Sequence, residues 1–322
     1  MAFAAFAGCG STGSGTGAAS TVLPATAVAT AVAVVPAVGT TPTTLGCETT
    51  GVAARKDNRY ANTPGASANA QSLDVYLPIR AAGCPATPIV AYVHGGGFRN
   101  GDKAGKVDDK ITLFAGEGWA FASVNYRLVG DPSAGPEGAS YTRQQDDLAD
   151  AVAWIVGPAA ELNVDPARLR FTGHSAGAFL VALQSTDASL LAARGVDPAA
   201  IRCTAPLDTE TFDIRNQILA GGNQESSYRG AFGDDPAVWD KASPLRNLDD
   251  AEPLPAFRFF TRGVAIRETG NRELAAAIQA AGGTASVVVV EPYSHEEVNE
   301  AVGKPGDTIV TPPLMDFFRS CV

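Results

Sequence analysis

The sequence predicts an α/β protein with a mostly parallel central sheet covered by helices on both faces. Two observations lead there. From about residue 50 onward, short apolar runs of strand character alternate with longer amphipathic segments, the pattern of parallel strands joined by crossover helices. The 322 residues, 45% hydrophobic and 18% charged, suffice for one large buried core, which excludes a peptide hormone, a coiled coil or a wholly disordered chain.

Taken in order, residues 1–48 are almost entirely Ala, Gly, Ser, Thr, Val and Pro, with Glu48 the only charged side chain, and such a composition cannot build a packed core. Within it, Ala25 to Val35 is apolar but is bounded by Pro24 and Pro36, well short of the roughly 20 residues that cross a bilayer. The folded part is expected over 49–322. Ser72 to Leu77 and Pro88 to Val93 read as strands, with Pro78 and Gly83 in the turns between them. A helix near Val107 to Gly116 leads to a strand at Trp119 to Asn125. Gln144 to Val156 carries Leu148, Val152 and Ile155 at the three-to-four spacing of a helix packed on a sheet. Further strands are expected at Arg168 to Thr172, Ile201 to Ala205, Phe257 to Thr261 and Ala285 to Val290, and helices at Glu273 to Ala281 and Pro313 to Arg319.

Charge narrows the function classes. Lys and Arg number 24 against 34 Asp and Glu, a formal charge of -10, which repels phosphate backbones and anionic head groups and makes nucleic acid an unexpected partner. Nothing resembles a phosphate-cradling loop or a set of metal ligands, so neither a cofactor nor a metal is expected.

Two motifs carry chemistry. Gly173-His174-Ser175-Ala176-Gly177 is a G-x-S-x-G sequence directly after an expected strand and before a helix. A sharp turn there strains the serine backbone, and the flanking glycines avoid side-chain clashes. Ser175 would then sit at the positive end of a helix dipole as the nucleophile. His94-Gly95-Gly96-Gly97-Phe98 follows the strand ending at Val93, and its glycines free backbone N–H groups to meet an oxyanion. Gly96, Gly97 and Ala176 are the expected oxyanion donors, with His94 orienting the loop.

On these motifs the chain resembles the α/β-hydrolase fold, and within it the HGGG-bearing esterases and lipases related to hormone-sensitive lipase. The stretch His94 to Lys103, with Asn125-Tyr126-Arg127-Leu128 and Gln145-Asp146-Asp147-Leu148-Ala149-Asp150-Ala151, is more similar to the arylformamidase and feruloyl-esterase-like branch. The resemblance covers residues 70 to 320 and implies a serine hydrolase acting on a carboxylic ester, a small molecule. An amidase such as an arylformamidase is the alternative, as is a non-catalytic binding protein of the same fold.

Three histidines leave little choice of general base. His94 belongs to the glycine loop and His174 precedes the nucleophile, so His295 remains, in the chain order serine, acid, histidine. The acid is open. The family resembled carries an Asp a few residues after its penultimate strand, and counting from Gly263 puts Ile266 at that place. Glu268, two residues on, is the first candidate, Asp208 the second and Asp213 the third; a chain without the acid would favour the non-catalytic reading. Asp146 and Asp147 read as dipole partners of a helix start, and so do Glu296 and Glu297. Tyr228, Phe232 and Trp239 lie in an irregular insertion, Gly221 to Pro255, that could cover the sheet edge as a lid or acyl pocket.

Five cysteines complete the inventory. Ala2 to Cys9 looks like the end of a bacterial lipoprotein signal whose basic region is missing, which implies lipidation of Cys9 and a flexible tether over the rest of 1–48. The other four allow three pairings in an exported protein, with Cys47–Cys84 and Cys203–Cys321 preferred because the first two sit near the start of the folded part, or they are buried free thiols of a cytosolic enzyme; the disulfide reading places the protein outside the cytoplasm, in the periplasm or at a membrane surface.

Overall fold

Every residue of Thr87–Val93 and Ala120–Val124 is buried, so these strands are covered from both sides and must lie at the centre of a sheet. The computed structural model, which describes residues 30–32, 46–136, 138–248 and 254–321, places them so. Nine strands form one sheet: β1 (Thr30–Val32), β2 (Gly51–Arg59), β3 (Ser72–Ile79), β4 (Thr87–Val93), β5 (Ala120–Val124), β6 (Val164–His174), β7 (Ile201–Leu207), β8 (Ala256–Thr261) and β9 (Ala285–Val289). Their spatial order is β1-β2-β3-β5-β4-β6-β7-β8-β9. β1, β2, β3 and β5 pair antiparallel in turn, and all pairings from β5 through β4 to β9 are parallel.

Eleven helices are described: α1 (Asp108–Gly116), α2 (Tyr141–Val156), α3 (Ala159–Leu162), α4 (Ala176–Thr186), α5 (Ala188–Ala192), α6 (Ile214–Ala220), α7 (Glu225–Phe232), α8 (Pro236–Lys241), α9 (Ala265–Ala280), α10 (His295–Glu300) and α11 (Thr311–Ser320). Side chains alternate across a strand, and this divides the core in two. Ile89, Ala91 and Val93 of β4 pack in one cluster with Leu148 and Val152 of α2, Phe179 and Leu183 of α4, and Leu274 and Ile278 of α9. Val90 and Tyr92 face the other way, into a cluster with Phe114 of α1 and Leu314 and Phe318 of α11. The chain passes from β4 to β5 on one side and returns over β4 to β6 on the other. The carboxyl ends of β4 and β6 therefore flank a topological switch point, where open α/β sheets form their crevices.

Four expectations change. β2 carries Arg55, Lys56, Asp57 and Asn58 through an irregularity in its pairing, so no apolar run marks it in the sequence. Thr30–Val32 lies in the stretch expected to be a tether, yet it adds an edge strand against Val52–Ala54. The rest of that stretch, including Cys9, lies outside the described residues. Helix α2 starts at Tyr141, so Asp146 and Asp147 lie beyond its first turn, and they hold Arg194 and Arg127 by ion pairs instead. The insertion is not irregular: it contains α7 and α8, and Tyr228 and Phe232 pack against Phe98.

Both expected disulfides are present, Cys47–Cys84 and Cys203–Cys321, with Cα atoms 5.7 and 6.1 Å apart. Such bonds belong to proteins that mature in an oxidising compartment. Among the described residues no helix is long and apolar enough to cross a membrane. Cys203–Cys321 joins β7 to the residue after α11 across 118 positions, and a crosslink over so long a loop restricts the unfolded chain strongly. Replacing Cys321 by Ser is expected to lower the unfolding free energy by about 3 kcal/mol, read as a lower urea midpoint, with a steeper slope as the unfolded chain expands.

Candidate active site

Strand β6 ends at His174 and helix α4 begins at Ala176, leaving one residue to reverse the chain. That residue is Ser175, with φ 56° and ψ -119°, a conformation that a side-chain-bearing residue adopts only under strain. Its neighbours are glycine because the turn is crowded. A Cβ on Gly177 would lie 2.2 Å from the carbonyl oxygen of Val93, and one on Gly173 would lie 2.6 Å from the Gly177 carbonyl. The Ser175 N–H donates to Leu207 O at 2.9 Å, which ties the elbow to the end of β7. As the first helical residue, Ala176 presents an N–H with no partner inside the helix.

Beyond β4, Gly96, Gly97 and Phe98 all have positive φ, at 116°, 59° and 67°. The Gly96 carbonyl accepts the N–H groups of Arg99 and Asn100 at 3.1 and 3.0 Å, which closes the loop on itself. Among the described residues, the N–H groups of Gly96 and Gly97 donate to no protein acceptor. His94 braces this loop: its ring stacks on Tyr126 at 4.5 Å, its Nδ1 donates to Gly95 O at 2.8 Å, and Tyr126 donates to the His94 carbonyl at 3.0 Å. Burial holds the His94 ring below its ordinary pKa and hence neutral. Phe98 anchors the far side, edge-on to Phe179 of α4 and Phe232 of α7.

His295 opens α10, which starts in a capping box: Ser294 accepts the Glu297 N–H at 3.3 Å and Glu297 accepts the Ser294 N–H at 2.8 Å. Glu296 instead pairs with Lys106. The buried His174 donates from Nε2 to the His295 carbonyl at 2.8 Å and so fixes the backbone that carries that ring. Burial, assisted by the neighbouring His295, pushes the His174 pKa down to about 3, so the donor remains a neutral imidazole.

Nδ1 of His295 lies 2.7 Å from Oδ2 of Asp208, whose side chain is 0% exposed while that of His295 is 25% exposed. Asp208 directly follows β7 with φ 51°, and its N–H donates to Phe260 O at 2.7 Å. Burial alone would raise the Asp208 pKa. The hydrogen bond from His295, the charge of Arg267 and the Arg262 N–H outweigh it, and the group lies below the usual carboxylate range, ionised.

The expected carboxylate at Glu268 is therefore corrected. Glu268 stands in the first turn of α9 and pairs with Arg272 at 2.7 Å, and the nearby Ile266 is 51% exposed. The strand end nearest the serine is that of β7, not β8, so the residue after β7 reaches His295. Asp213, the third candidate, caps α6 and pairs with Arg246. Sequence reasoning passed over Arg262, Arg267 and Glu210; none belongs to a motif, and only the folded chain gathers them.

Ser175, His295, Gly96, Gly97 and Ala176 line one cleft of about 240 Å³ at the carboxyl ends of β4 and β6. Its other walls include Phe98, Tyr228, Glu210 and Arg267. A larger cavity of about 420 Å³ lies at the opposite ends of the strands, near Arg202, Arg258 and Cys321, away from these groups. Among the described residues no group of three or more His, Cys, Asp or Glu is placed to hold a metal ion.

Residues 73–215 match the BD-FAE family model. The structure of esterase B from Lactobacillus rhamnosis, inhibited by a tributyrin phosphonate, superposes with a TM-score of 0.67 at 19% identity, covering 84% of this chain and 86% of that one. The chain has the α/β-hydrolase fold. Its sequence relatives include Lipase 2 of Moraxella sp. (strain TA144), 38% identical over 92 residues, 29% of this chain and 20% of that one. Esterase LipQ of Mycobacterium tuberculosis is 23% identical over 215 residues, 65% of this chain and 49% of that one. The chain thus spans half or less of the length of these two relatives, both of them ester hydrolases by name.

The elbow depends on the close approach of α4 to the end of β4. Gly177→Ala is expected to cost about 3 kcal/mol, the upper range of overpacking, because the atom it meets is backbone. Urea unfolding checks this; a loss under about 1 kcal/mol would mean the contact relaxes.

Proposed function

We propose that the protein is a serine hydrolase that cleaves carboxylic esters through an acyl-enzyme. The observation that carries the reading is His295 Nδ1 bonded to the buried Asp208 in the cleft where Ser175 stands on its strained turn. The parts support a complete division of labour. Asp208, ionised, accepts the Nδ1 proton and so leaves the lone pair of His295 on Nε2. Nε2 takes the hydroxyl proton as Ser175 Oγ attacks the acyl carbon. Negative charge on the former carbonyl oxygen meets the N–H groups of Gly96, Gly97 and Ala176, each contributing on the order of 3 kcal/mol to the transition state. His295 then protonates the departing alcohol, and water repeats the sequence to release the acid. The non-catalytic alternative rested on Ile266 in the expected acid position, and Asp208 against His295 removes that motive.

A cleft of about 240 Å³ walled by Phe98 and Tyr228 favours a short acyl group. We further assign residues 49–322, with the edge strand Thr30–Val32, as the hydrolase unit, and propose that Cys9 is lipidated and holds the enzyme at the outer side of a bacterial membrane. The two disulfides support the exported compartment.

Ser175→Ala is expected to lower kcat on p-nitrophenyl acetate by at least about 10⁴-fold, and equal rates for variant and native protein would sink the enzyme reading. With the same substrate Asp208→Asn should lose between about 10² and 10⁴-fold, and Glu268→Gln less than about twofold. Acetyl and butyryl esters should outrun the dodecanoyl ester by about tenfold in kcat/KM. Mass spectrometry of the mature protein from its host should find a diacylated or triacylated Cys9 at the N-terminus; an unmodified Cys9 refutes the anchor.

A further inference from the structure

The segment after β8, where the resembled family carries its acid, carries two arginines instead, and both turn toward Asp208. We propose that Arg262 and Arg267 are positioning residues, which hold the relocated Asp208 in the one orientation that meets His295 Nδ1. The inference rests on the acid role proposed for Asp208.

Asp208 combines three demands that conflict. It is fully buried, it is ionised, and its backbone has φ 51°, a conformation that Asp reaches more easily than most residues but still at a cost. Its surroundings answer each one. Oδ1 accepts the Arg262 N–H at 3.0 Å. Oδ2 accepts His295 and lies 3.3 Å from Arg262 Nε and 3.6 Å from Arg267 Nη1. Arg262 Nε is too far off line for a hydrogen bond, so this contact is one of charge. Arg267 Nη1 also donates to the carbonyl of Asp208 itself. Arg267 Nη1 therefore hydrogen-bonds the main chain and lies in charge contact with the carboxylate of one residue, which opposes rotation about the bonds between them. A lysine would supply the same charge on a differently shaped, more flexible head group.

Other charged groups do not duplicate this role. His174, from the end of β6, is neutral, and Glu296 on α10 is tied to Lys106. Glu210, two residues after Asp208, is approached by the Tyr228 hydroxyl at 3.4 Å and lines the cleft. Arg262 and Arg267 are the two cationic side chains that approach Asp208 from the segment after β8.

The test measures kcat, KM and the pH profile of kcat/KM on p-nitrophenyl acetate for Arg267→Gln, Arg267→Lys, Arg262→Gln and Asp208→Asn. Arg267→Gln should lower kcat about tenfold with KM nearly unchanged. Removing a cation beside the pair favours the protonated imidazole, so the acidic limb should move to higher pH by about one unit. Arg267→Lys should return the limb toward its native position while recovering only part of kcat. Arg262→Gln keeps its N–H on Oδ1 and should show a smaller effect of the same sign, which also covers failure of the Arg267 variants to fold. A rise in KM with native kcat would make Arg267 a substrate contact and overturn the proposal, as would indistinguishable Gln and Lys variants. If Asp208→Asn loses activity while the arginine variants keep native kcat and limb, this inference alone falls. Native activity in Asp208→Asn removes the acid role itself.

Discussion

One contact underlies the cleft: the packing of the first turn of α4 against the last carbonyls of β4. It requires glycine at 177, and with it the chain reverses in a single residue, so that Ser175 takes φ 56° at the head of the helix. The strain is stored locally, and α4, buried along its whole length, supplies the packing that offsets it. The same approach brings the glycine loop after β4 beside the helix N-terminus, so Gly96, Gly97 and Ala176 face one space. Ser175 and these three N–H groups thus share one backbone arrangement.

The loop that carries the donors is held by side chains that look unrelated in sequence. Asn125 accepts the Lys103 N–H at 2.6 Å and donates to Asp102 at 3.1 Å. Gln144 donates to the carbonyls of Phe98 and Arg127 at 3.0 and 2.9 Å. Asp147, buried on α2, takes the Arg127 side chain and, from β3's approach, Gln71 at 2.7 Å. A lost partner in such a buried network leaves an unsatisfied polar group costing about 1–3 kcal/mol, which makes the arrangement specific. The three sequence stretches that marked the arylformamidase-like resemblance are therefore one scaffold for a glycine loop.

On the acid side the device is electrostatic. A carboxylate with no exposure survives as an ion because His295, a backbone N–H and two guanidinium groups converge on it. The strand that supplies the carboxylate lies one place closer to β6 than expected, and the next strand supplies the balancing charge. Carboxylate and counter-charge thus come from two adjacent strand ends.

Ser175, its glycines, the glycine loop and the sheet with helices on both faces were legible because each depends on neighbours in the chain: backbone angles at a turn, or alternation along a strand. His295 followed from scarcity, there being two other histidines, each with a place. Of the three pairings open to the four cysteines, only the folded chain selects Cys47–Cys84 and Cys203–Cys321. Strand β2 was hidden by its polar run, and the first half of α9 by Arg267, Glu268 and Gly270. The carboxylate against His295 was left open among Glu268, Asp208 and Asp213, which are equally carboxylates in a sequence. Which one meets His295 depends on which strand end lies beside the serine-bearing strand, a fact of sheet order, and on the arginines that converge there only in three dimensions. What depends on local backbone geometry was determined by the sequence alone; what depends on charges brought together from distant strands was decided by the tertiary structure.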